Sequence, residues 1–204
     1  MKNLKVELVR YTPEPKQLIK DAVSITTMTE PHDKIIKRLI KAGAESPLEH
    51  VVFTFKVSGV SRVLTHQLVR HRIASYTQES QRYVGYENLT DEEIVEHIVV
   101  PYPKNYPKES YDEYIEFMKK EVEFYKRLRN VWKWDKEDAR GVLGQYFTTT
   151  IYITMNVRSL RNFFKLRCHP SAQWEIRQLA NKMLKLCKEV LPDAFYDIKG
   201  EDEV

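Results

Sequence analysis

Cysteine and glycine are scarce in this sequence, and long apolar runs are missing. Only two cysteines, Cys168 and Cys187, and six glycines occur among its 204 residues. Two widely spaced cysteines exclude a disulfide framework, and the lack of a C-x-x-C motif excludes the metal and redox sites built on it. The nine prolines are also too few for a low-complexity segment. No stretch approaches the ~18 consecutive apolar residues of a membrane span.

The N-terminal segment lacks the features of a secretion signal. Residues 1–11 carry Lys2, Lys5 and Arg10 among their apolar residues, whereas a signal peptide has an uninterrupted apolar core followed by a small-residue cleavage site. Together with the low cysteine content, this pattern predicts a cytoplasmic protein with no membrane segment.

The overall composition is that of an ordinary globular protein, with 42% apolar and 30% charged residues. The length fits one domain, residues 1–204, with a substantial core. A net charge of +4 suits an anionic small-molecule ligand but falls short of the concentrated positive face of a nucleic-acid-binding protein. Charge alone does not separate these two classes of partner.

Hydrophobic periodicity predicts both strands and helices. The strands are predicted at residues 4–10, 50–57 and 148–155, and the helices at 15–24, 31–43, 61–71, 109–132, 135–147, 156–167 and 171–191. A polar loop is expected from residue 72 to 81 and a proline-rich connector at 101–107. Because strands and helices do not alternate regularly, we predict an α+β fold, in which an antiparallel-rich sheet is packed by several long helices.

Two polar residues fall on the apolar face of the helix predicted from Ser61. At 100° per residue, Gln67 and His71 lie in the stripe formed by Val63, Leu64 and Leu68. Buried polar groups need hydrogen-bond partners, which the backbone can supply. Since the two residues are one turn apart and lead into an arginine-rich loop, we favour a binding site over that alternative.

An arginine falls in the apolar stripe of the helix predicted at 156–167. Leu160, Phe163 and Phe164 define this stripe, and Arg167 projects from it. A buried guanidinium is costly without a partner. It therefore requires either a carboxylate or an anionic ligand whose planar edge accepts its donors. The opposite face is either plain solvent-exposed surface or a second ligand contact; its polar residues are Arg158, Asn162 and Lys165.

Between these helices, residues 70–83 concentrate hydrogen-bond donors. The segment R-H-R-I-A-S-Y-T-Q-E-S-Q-R-Y contains three arginines, one histidine and two glutamines. Such donors suit a phosphate group and the edge of a nucleobase. By composition alone, a solvated basic loop remains the alternative.

This segment resembles the signature of a known enzyme family. Arg70-His71-Arg72, followed after seven residues by Ser80, resembles the R-H-R-x7-S motif of the flavin-dependent thymidylate synthases. Further blocks match that family in the same order, over roughly residues 36–180: S-P-L-E-H at 46–50, F-T-F at 53–55, Gln67, Arg82, N-V-R-S-L-R-N at 156–162, Arg167 and A-Q-W-E at 172–175.

The resemblance implies an activity and an assembly. Enzymes of this family convert dUMP to dTMP, with 5,10-methylenetetrahydrofolate as the carbon donor, which leaves as tetrahydrofolate, and NADPH as the reductant acting through FAD. The implied fold is a mixed α+β domain assembled as a homotetramer, whose active sites are shared between subunits. The resemblance also explains why the chain needs no G-x-G-x-x-G dinucleotide motif.

Carried over residue by residue, the resemblance also implies a set of ligand-binding residues. Those expected to bind FAD are Ser46, Arg70, His71, Arg72, Gln78, Asn156, Arg158 and Asn162. Those expected to bind dUMP are Gln67, Arg70, Gln78, Glu79, Ser80, Gln81, Arg82, Arg140 and Arg167. No metal site is expected.

Physical arguments refine four of these roles. Arg82 and Arg140 supply charge-assisted hydrogen bonds for a phosphate dianion, and Ser80 adds a neutral donor. Arg167 is the expected catalytic residue, because a cation beside the uracil edge favours loss of the ring proton or polarises the carbonyl. Ser80 is expected to bind ligand rather than act as a nucleophile, since no histidine or lysine base is evident for it.

The chain departs from the family pattern at two places. Ala44 stands two residues before Ser46, where many relatives carry histidine, and Thr77-Gln78 replaces Asn-Glu in the signature loop. A glutamine still donates and accepts hydrogen bonds at a flavin or base edge. We therefore expect activity to persist with altered contacts.

Two other functions compete with this interpretation. A nucleic-acid-binding module is suggested by Tyr76, Tyr83 and Tyr86 interleaved with basic residues. A zinc hydrolase is suggested by His66, His71, Cys168 and His169, although the H-E-x-x-H motif is absent. A yellow protein whose colour bleaches with NADPH would exclude both.

Overall fold

The computed structural model describes residues 4–28, 31–101 and 106–201. Two predicted features fall partly outside these ranges. They are the N-terminal segment, of which residues 1–3 are not described, and the proline-rich connector, of which residues 102–105 are not described. The strands are β1 (Lys5–Tyr11), β2 (Val52–Ser61), β3 (Ser75–Gln78) and β4 (Thr148–Asn156). The helices are α1 (Pro15–Thr27), α2 (Ile35–Ala42), α3 (Arg62–Leu68), α4 (Asp91–Glu96), α5 (Lys108–Asn130), α6 (Lys136–Ala139), α7 (Val157–Arg167) and α8 (Trp174–Val190). Short 3₁₀ turns occur at Ser46–His50, Arg140–Val142 and Pro192–Ala194.

The strands form one sheet in the order β1-β2-β4-β3. The amide of Thr12, just after β1, donates to the carbonyl of Val52 at the start of β2, so these strands run antiparallel. Strands β2 and β4 are antiparallel as well, because the hydroxyls of Thr54 and Thr154 lie 2.9 Å apart and the amide of Val157 donates to the carbonyl of Val51. The predicted mixed α+β architecture with an antiparallel sheet is confirmed.

The chain divides into two compact units. Of the described residues, unit 1 comprises those within 4–5, 57–66 and 77–151, and unit 2 comprises those within 6–56, 67–76 and 152–201. In unit 1 the core is one aromatic-rich cluster, to which α5 contributes Met118, Val122, Tyr125 and Leu128. These four residues are three or four positions apart, so they form one helical face. Most charged residues of α5 are exposed, whereas Glu121 and Arg129 lie beside the apolar face and are partly buried.

The core of unit 2 is built around α7 and α8. Helix α7 packs against α8 and against the 3₁₀ turn at Ser46–His50. Phe163 and Phe164 are fully buried, and the ring of Phe164 meets that of Phe195 edge-on at 5.6 Å. Strand β4 leads directly into α7, because the side chain of Asn156 accepts a hydrogen bond from the Ser159 amide at 2.8 Å and so caps the helix.

The structure corrects several predicted element boundaries. Helix α2 begins at Ile35 rather than Pro31, since a turn in which Ile35 donates to the His32 carbonyl precedes it. Helix α3 ends at Leu68, because the amides of Arg70 and His71 bond three residues back and tighten the chain into a turn. His71 is therefore not on the α3 stripe. The predicted 72–81 loop contains strand β3, whose Tyr76 hydroxyl donates to the Leu68 and His71 carbonyls.

Two further helices differ from the sequence expectation. The helix predicted at 135–147 is reduced to α6, followed by a 3₁₀ turn over Arg140–Val142. Gly141 and Gly144 make this stretch a poor helix former. Helix α4 was not predicted at all, although Thr90 and Glu93 form a reciprocal capping box at its start.

Candidate active site

A cavity of about 830 Å³ lies in unit 2, between the segment that follows α3 and the exposed face of α7. Six of the eight residues expected to bind FAD line it: Arg70, His71, Arg72, Asn156, Arg158 and Asn162. Arg167 lines it too. The remaining two, Ser46 and Gln78, do not; Ser46 is exposed in the 3₁₀ turn next to Glu45, which is a lining residue.

Helical geometry explains why α7 presents a polar face to this cavity. Arg158, Asn162 and Lys165 are spaced by four and three residues, so they lie on one side of the helix. All three are exposed. Strand β4 fixes the axis of α7 through the Asn156 cap, and so it also fixes the direction of this polar face.

The cavity carries an excess of positive charge. Its two carboxylates are each bonded to an arginine, Glu49 to Arg158 and Glu45 to the Nε of Arg161 at 3.4 Å. Four lining cations have no salt bridge within the described part of the chain: Arg70, Arg72, Lys165 and Arg167. Such a surface attracts a polyanionic ligand.

Arg167 lies at the end of α7 and is half-buried. Its Nε donates to the Nε2 of His71 at 3.1 Å. A carboxylate or an anionic ligand was expected at this guanidinium, whereas among the described residues its partner is the imidazole of His71. Burial and the nearby charge of Arg167 lower the pKa of His71 below its ordinary value of 6.5.

The arginine that is buried in α7 is Arg161, which the sequence analysis did not single out. Its side chain is 1% exposed and bonds to Glu45, to Asp197 and to the carbonyl of Ala194. Val157, Arg161 and Phe164 follow a helical spacing that places Arg161 on the apolar side of α7, but the same periodicity also places Arg167 there.

Unit 1 brings together the residues expected to hold the nucleotide phosphate. Arg82 and Arg140 both contact Glu137: the Nη2 of Arg82 lies 2.9 Å from its carboxylate, and the Nε of Arg140 donates to its carbonyl at 3.0 Å. Ser80 begins the turn that carries Arg82, because its hydroxyl oxygen accepts from the Arg82 amide at 3.3 Å. Two cations and a hydroxyl are thus gathered within one short loop and a 3₁₀ turn.

The other signature-loop residues of unit 1 are held by the protein itself. The Glu79 carboxylate accepts from the Tyr86 hydroxyl at 2.6 Å, and its carbonyl accepts from Arg62 at 3.3 Å. Gln78 donates through Nε2 to the hydroxyls of Thr65 and Thr149, each at 3.3 Å. Gln81 is 5% exposed, and its Nε2 has no hydrogen-bond partner among the described residues.

The family comparison covers nearly all of the chain. Residues 7–193 match the model of a family described as thymidylate synthase complementing protein. The chain is 42% identical to the flavin-dependent thymidylate synthase of Pyrococcus furiosus, over 89% of the chain and 78% of that protein. It is also 42% identical to the flavin-dependent thymidylate synthase of Clostridium tetani, over 94% of the chain and 85% of that protein.

The chain belongs to the flavin-dependent thymidylate synthase family. The resemblance recognised in the R-H-R-x7-S motif is thereby confirmed. A solved structure of a Helicobacter pylori member of the family, in complex with FAD and dUMP, shares the fold with a TM-score of 0.79 at 24% identity. That match covers 95% of this chain and 99% of the other.

Some polar residues of this synthase family member were not anticipated from its sequence. They include Glu45 and Glu49 of the cavity, and Arg62 and Glu137 of unit 1. Arg62 is half-buried, and burial lowers its pKa. Only Glu49 carried a signal, as part of the matched S-P-L-E-H block; the others are recognisable only from their contacts.

The structure also bears on the competing functions. Within the described ranges, no group of three or more His, Cys, Asp or Glu residues is placed to hold a metal ion. Of the three tyrosines proposed as a stacking surface, Tyr86 is 3% exposed and Tyr76 is half-buried with its hydroxyl bonded to backbone, which leaves Tyr83. No described helix combines the length and the uncharged apolar run that a bilayer span requires.

Proposed function

We propose that this chain catalyses the reductive methylation of dUMP. In the overall reaction, dUMP, 5,10-methylenetetrahydrofolate, NADPH and a proton give dTMP, tetrahydrofolate and NADP⁺. The observation that carries the proposal is the cationic cavity of unit 2, where six residues of the family's flavin-binding pattern meet Arg167. The family assignment supplies the reaction.

The residues of the cavity fit FAD. Its volume of about 830 Å³ lies within the usual range for a large ligand, ~300–1,000 Å³. Arg70, Arg72 and Arg158 offer guanidinium forks for the pyrophosphate, and Asn162 offers an amide for a ring edge. FAD, when bound, supplies reducing electrons taken from NADPH. Ser46, beside the cavity, and Gln78, in unit 1, complete the proposed FAD set.

The phosphate of dUMP is assigned to unit 1. Arg82 and Arg140 are both tied to Glu137, and the exposed Arg82–Glu137 pair is weak enough to be exchanged for a phosphate. Ser80 and Gln81 provide further donors, including the unpartnered amide nitrogen of Gln81. Glu79 is fixed by Tyr86. The proposed nucleotide set is completed by Gln67, Arg70, Gln78 and Arg167.

Arg167 is proposed as the catalytic residue. Its guanidinium is half-buried, which strengthens its electrostatic effect on a neighbouring uracil. A fixed cation at the uracil edge stabilises negative charge in the ring and raises electron density at the carbon that is methylated. Ser80 serves as a ligand donor, because no histidine or lysine is bonded to its hydroxyl within the described chain.

We further propose that the whole of residues 1–204 acts as one catalytic domain in a cytoplasmic homotetramer with shared active sites. This is supported by the division of the short chain: most residues proposed to bind FAD lie in unit 2, whereas those proposed to bind the phosphate of dUMP lie in unit 1. Large ligands need sizeable concave pockets, and partner subunits are a means of closing them.

The experiment that tests the function is release of the C5 proton from dUMP in the presence of FAD, NADPH and 5,10-methylenetetrahydrofolate. Arg167→Ala is expected to abolish turnover while the protein still binds flavin. Arg38→Ala, which removes an exposed arginine from α2 of the same unit, is the matched control and should keep wild-type turnover. Full activity of Arg167→Ala would refute the catalytic assignment, and lack of proton release by the wild type would refute the function.

A further inference from the structure

The contact between His71 and Arg167 is held from several sides. The His71 ring meets Phe163 edge-on, with centroids 5.0 Å apart and an interplanar angle of 90°. Its backbone is fixed as well, since the amide donates to the Leu68 carbonyl at 3.1 Å and the carbonyl accepts from the Tyr76 hydroxyl at 2.8 Å. The imidazole therefore has little freedom to turn away from Arg167.

The chemistry of the two side chains fixes the proton position on His71. An arginine is always protonated and offers only donors. For the Nε of Arg167 to bond to the Nε2 of His71, that nitrogen must carry a lone pair. The neutral imidazole then has its proton on Nδ1.

This bond leaves the other end of Arg167 available. Among the described residues, neither terminal guanidinium nitrogen of Arg167 has a hydrogen-bond partner within the chain. These two nitrogens are the pair that reaches a planar acceptor edge. Because a guanidinium is planar, a hydrogen bond from its Nε also restricts the orientation of the two terminal nitrogens.

We propose that His71 is a positioning residue, whose unprotonated Nε2 holds the Nε of Arg167 and so aims the terminal nitrogens of that guanidinium into the cavity. The contact is formed by two residues of this chain, and its consequence for catalysis rests on the function proposed above.

Protonation of His71 would break this arrangement. An imidazolium presents an N–H to the N–H of Arg167 and adds a second positive charge beside it. Of the other charged groups that line the cavity, Arg70, Arg72 and Lys165 are cations, while the carboxylates of Glu45 and Glu49 are bonded to Arg161 and Arg158 and so do not compensate an imidazolium. Burial together with Arg167 lowers the pKa of His71 below 6.5, so the bond is present at neutral pH and is lost as the pH falls through that lowered pKa.

The first test does not depend on activity. In full-length protein labelled with ¹⁵N-histidine, with and without FAD, the His71 resonances should show an unprotonated Nε2 and a protonated Nδ1 at neutral pH. Arg167→Ala should raise the pKa of His71, because it removes the neighbouring charge. A proton on Nε2, or a His71 pKa unaffected by Arg167→Ala, would overturn the proposal.

The second test separates positioning from ligand binding. His71→Leu removes the acceptor and should lower kcat by roughly tenfold or more, the value of a hydrogen bond to a charged group. His71→Gln keeps an acceptor that does not titrate, so it should recover part of kcat and lose the acid limb of the kcat–pH profile. Flavin content is measured for each variant, and kcat is taken at saturating FAD.

The matched control is His66→Gln, which changes an exposed imidazole on α3 and should keep the wild-type profile. Wild-type kcat in His71→Leu, or an unchanged acid limb in His71→Gln, would contradict the proposal. If the wild type itself lacks turnover, the proposed function fails, while the tautomer and pKa measurements still decide whether His71 holds Arg167.

Discussion

The guanidinium of Arg161 and the carboxylate of Asp197 form two parallel hydrogen bonds, 2.7 and 2.9 Å long. The arginine is 1% exposed, whereas the aspartate side chain is 29% exposed. This bidentate pair joins α7 to the segment after the last 3₁₀ turn, and Arg161 is itself one of the residues that line the cavity. Its hydrogen bond to Arg161 lowers the pKa of Asp197.

We predict that breaking this pair destabilises the protein strongly. Asp197→Asn removes the bidentate carboxylate of a buried guanidinium and leaves Glu45, 3.4 Å from its Nε, as the remaining countercharge. The loss should therefore be ~3 kcal/mol, the lower end of the range for breaking a buried pair. Urea denaturation at neutral pH measures the loss. Glu116→Gln, which breaks the exposed pair with Lys120 on α5, should cost less than ~0.5 kcal/mol. Equal stability of the two variants would contradict the structure.

The same pair has a defined pH dependence. Because the folded pKa of Asp197 lies below its ordinary value of 3.8, its stabilising contribution is fully present above pH 3.8 and is lost as the pH falls through the folded pKa. The stability difference between wild type and Asp197→Asn should therefore be constant from pH 7 to about pH 5 and shrink in stronger acid. A stability difference that grows as the pH falls would mean that folding raises the pKa of Asp197, which would contradict this prediction.

Gly144 is predicted to be intolerant of a side chain. A Cβ at this position would lie 2.6 Å from the Glu121 Oε2 and 2.9 Å from the Cε and Sδ of Met118. Since both contacts are ends of flexible side chains, Gly144→Ala should cost about 1–2 kcal/mol in thermal unfolding. Gly141→Ala is the control, because nothing lies within 4 Å of its Cβ. The double variant Gly144→Ala/Glu121→Ala should recover part of the loss; no recovery would exclude Glu121 as the obstacle.

His97 is predicted to make the protein less stable in mild acid. Its Nδ1 lies 2.8 Å from the Thr148 hydroxyl and its ring stacks on Phe147. Burial lowers its pKa below 6.5, although Glu79, Glu96 and Glu93 act in the opposite direction. The unfolded state thus binds the proton more readily, and the free energy of unfolding should fall as the pH drops below 6.5, by at most ~1.4 kcal/mol per pH unit.

The prediction is tested by measuring the free energy of unfolding of wild type and His97→Gln across pH 5–7.5. The control is His32→Gln, which replaces an exposed histidine. The free energy of unfolding should change less with pH in His97→Gln than in the wild type or in His32→Gln. His71, whose pKa is also lowered, contributes to the pH dependence that remains in His97→Gln.

Arg82 and Arg140 are predicted to act on the phosphate of dUMP. Arg82→Gln and Arg140→Gln should each raise the Kd for dUMP by about tenfold or more, since each removes a charge-assisted hydrogen bond. Binding of deoxyuridine, which has no phosphate, should be unchanged. Arg127→Gln removes an exposed cation of α5 in the same unit and serves as control. Equal losses for dUMP and deoxyuridine would place the two arginines away from the phosphate.

Sequence patterns predicted those elements that a single helix or strand periodicity determines. Helix α5 and strand β4 were located to within a few residues, because their apolar residues repeat regularly. The end of α3 and strand β3 were missed because tertiary contacts define them: the Tyr76 hydroxyl bonds the Leu68 carbonyl and holds β3 against the turn. Periodicity contains no information on such a contact.

The candidate site shows the same limit. The motif placed Arg70, Arg72 and Arg158 in one group, and the structure places them in one cavity. Periodicity did not tell which arginine of α7 is buried, since Arg161 and Arg167 both fall on an apolar stripe. The choice depends on Asp197, which lies 36 residues away along the chain. A countercharge at that separation leaves no local pattern.

Strand β4 continues into α7 without an intervening loop, through the Asn156 cap. Insertion or deletion of one residue at this junction would turn the helix by about 100° about its axis. Arg158, Asn162 and Lys165 would then turn away together, and the cavity of unit 2 would lose one wall while the strand pairing stayed intact. The junction therefore tolerates changes of residue type better than changes of length.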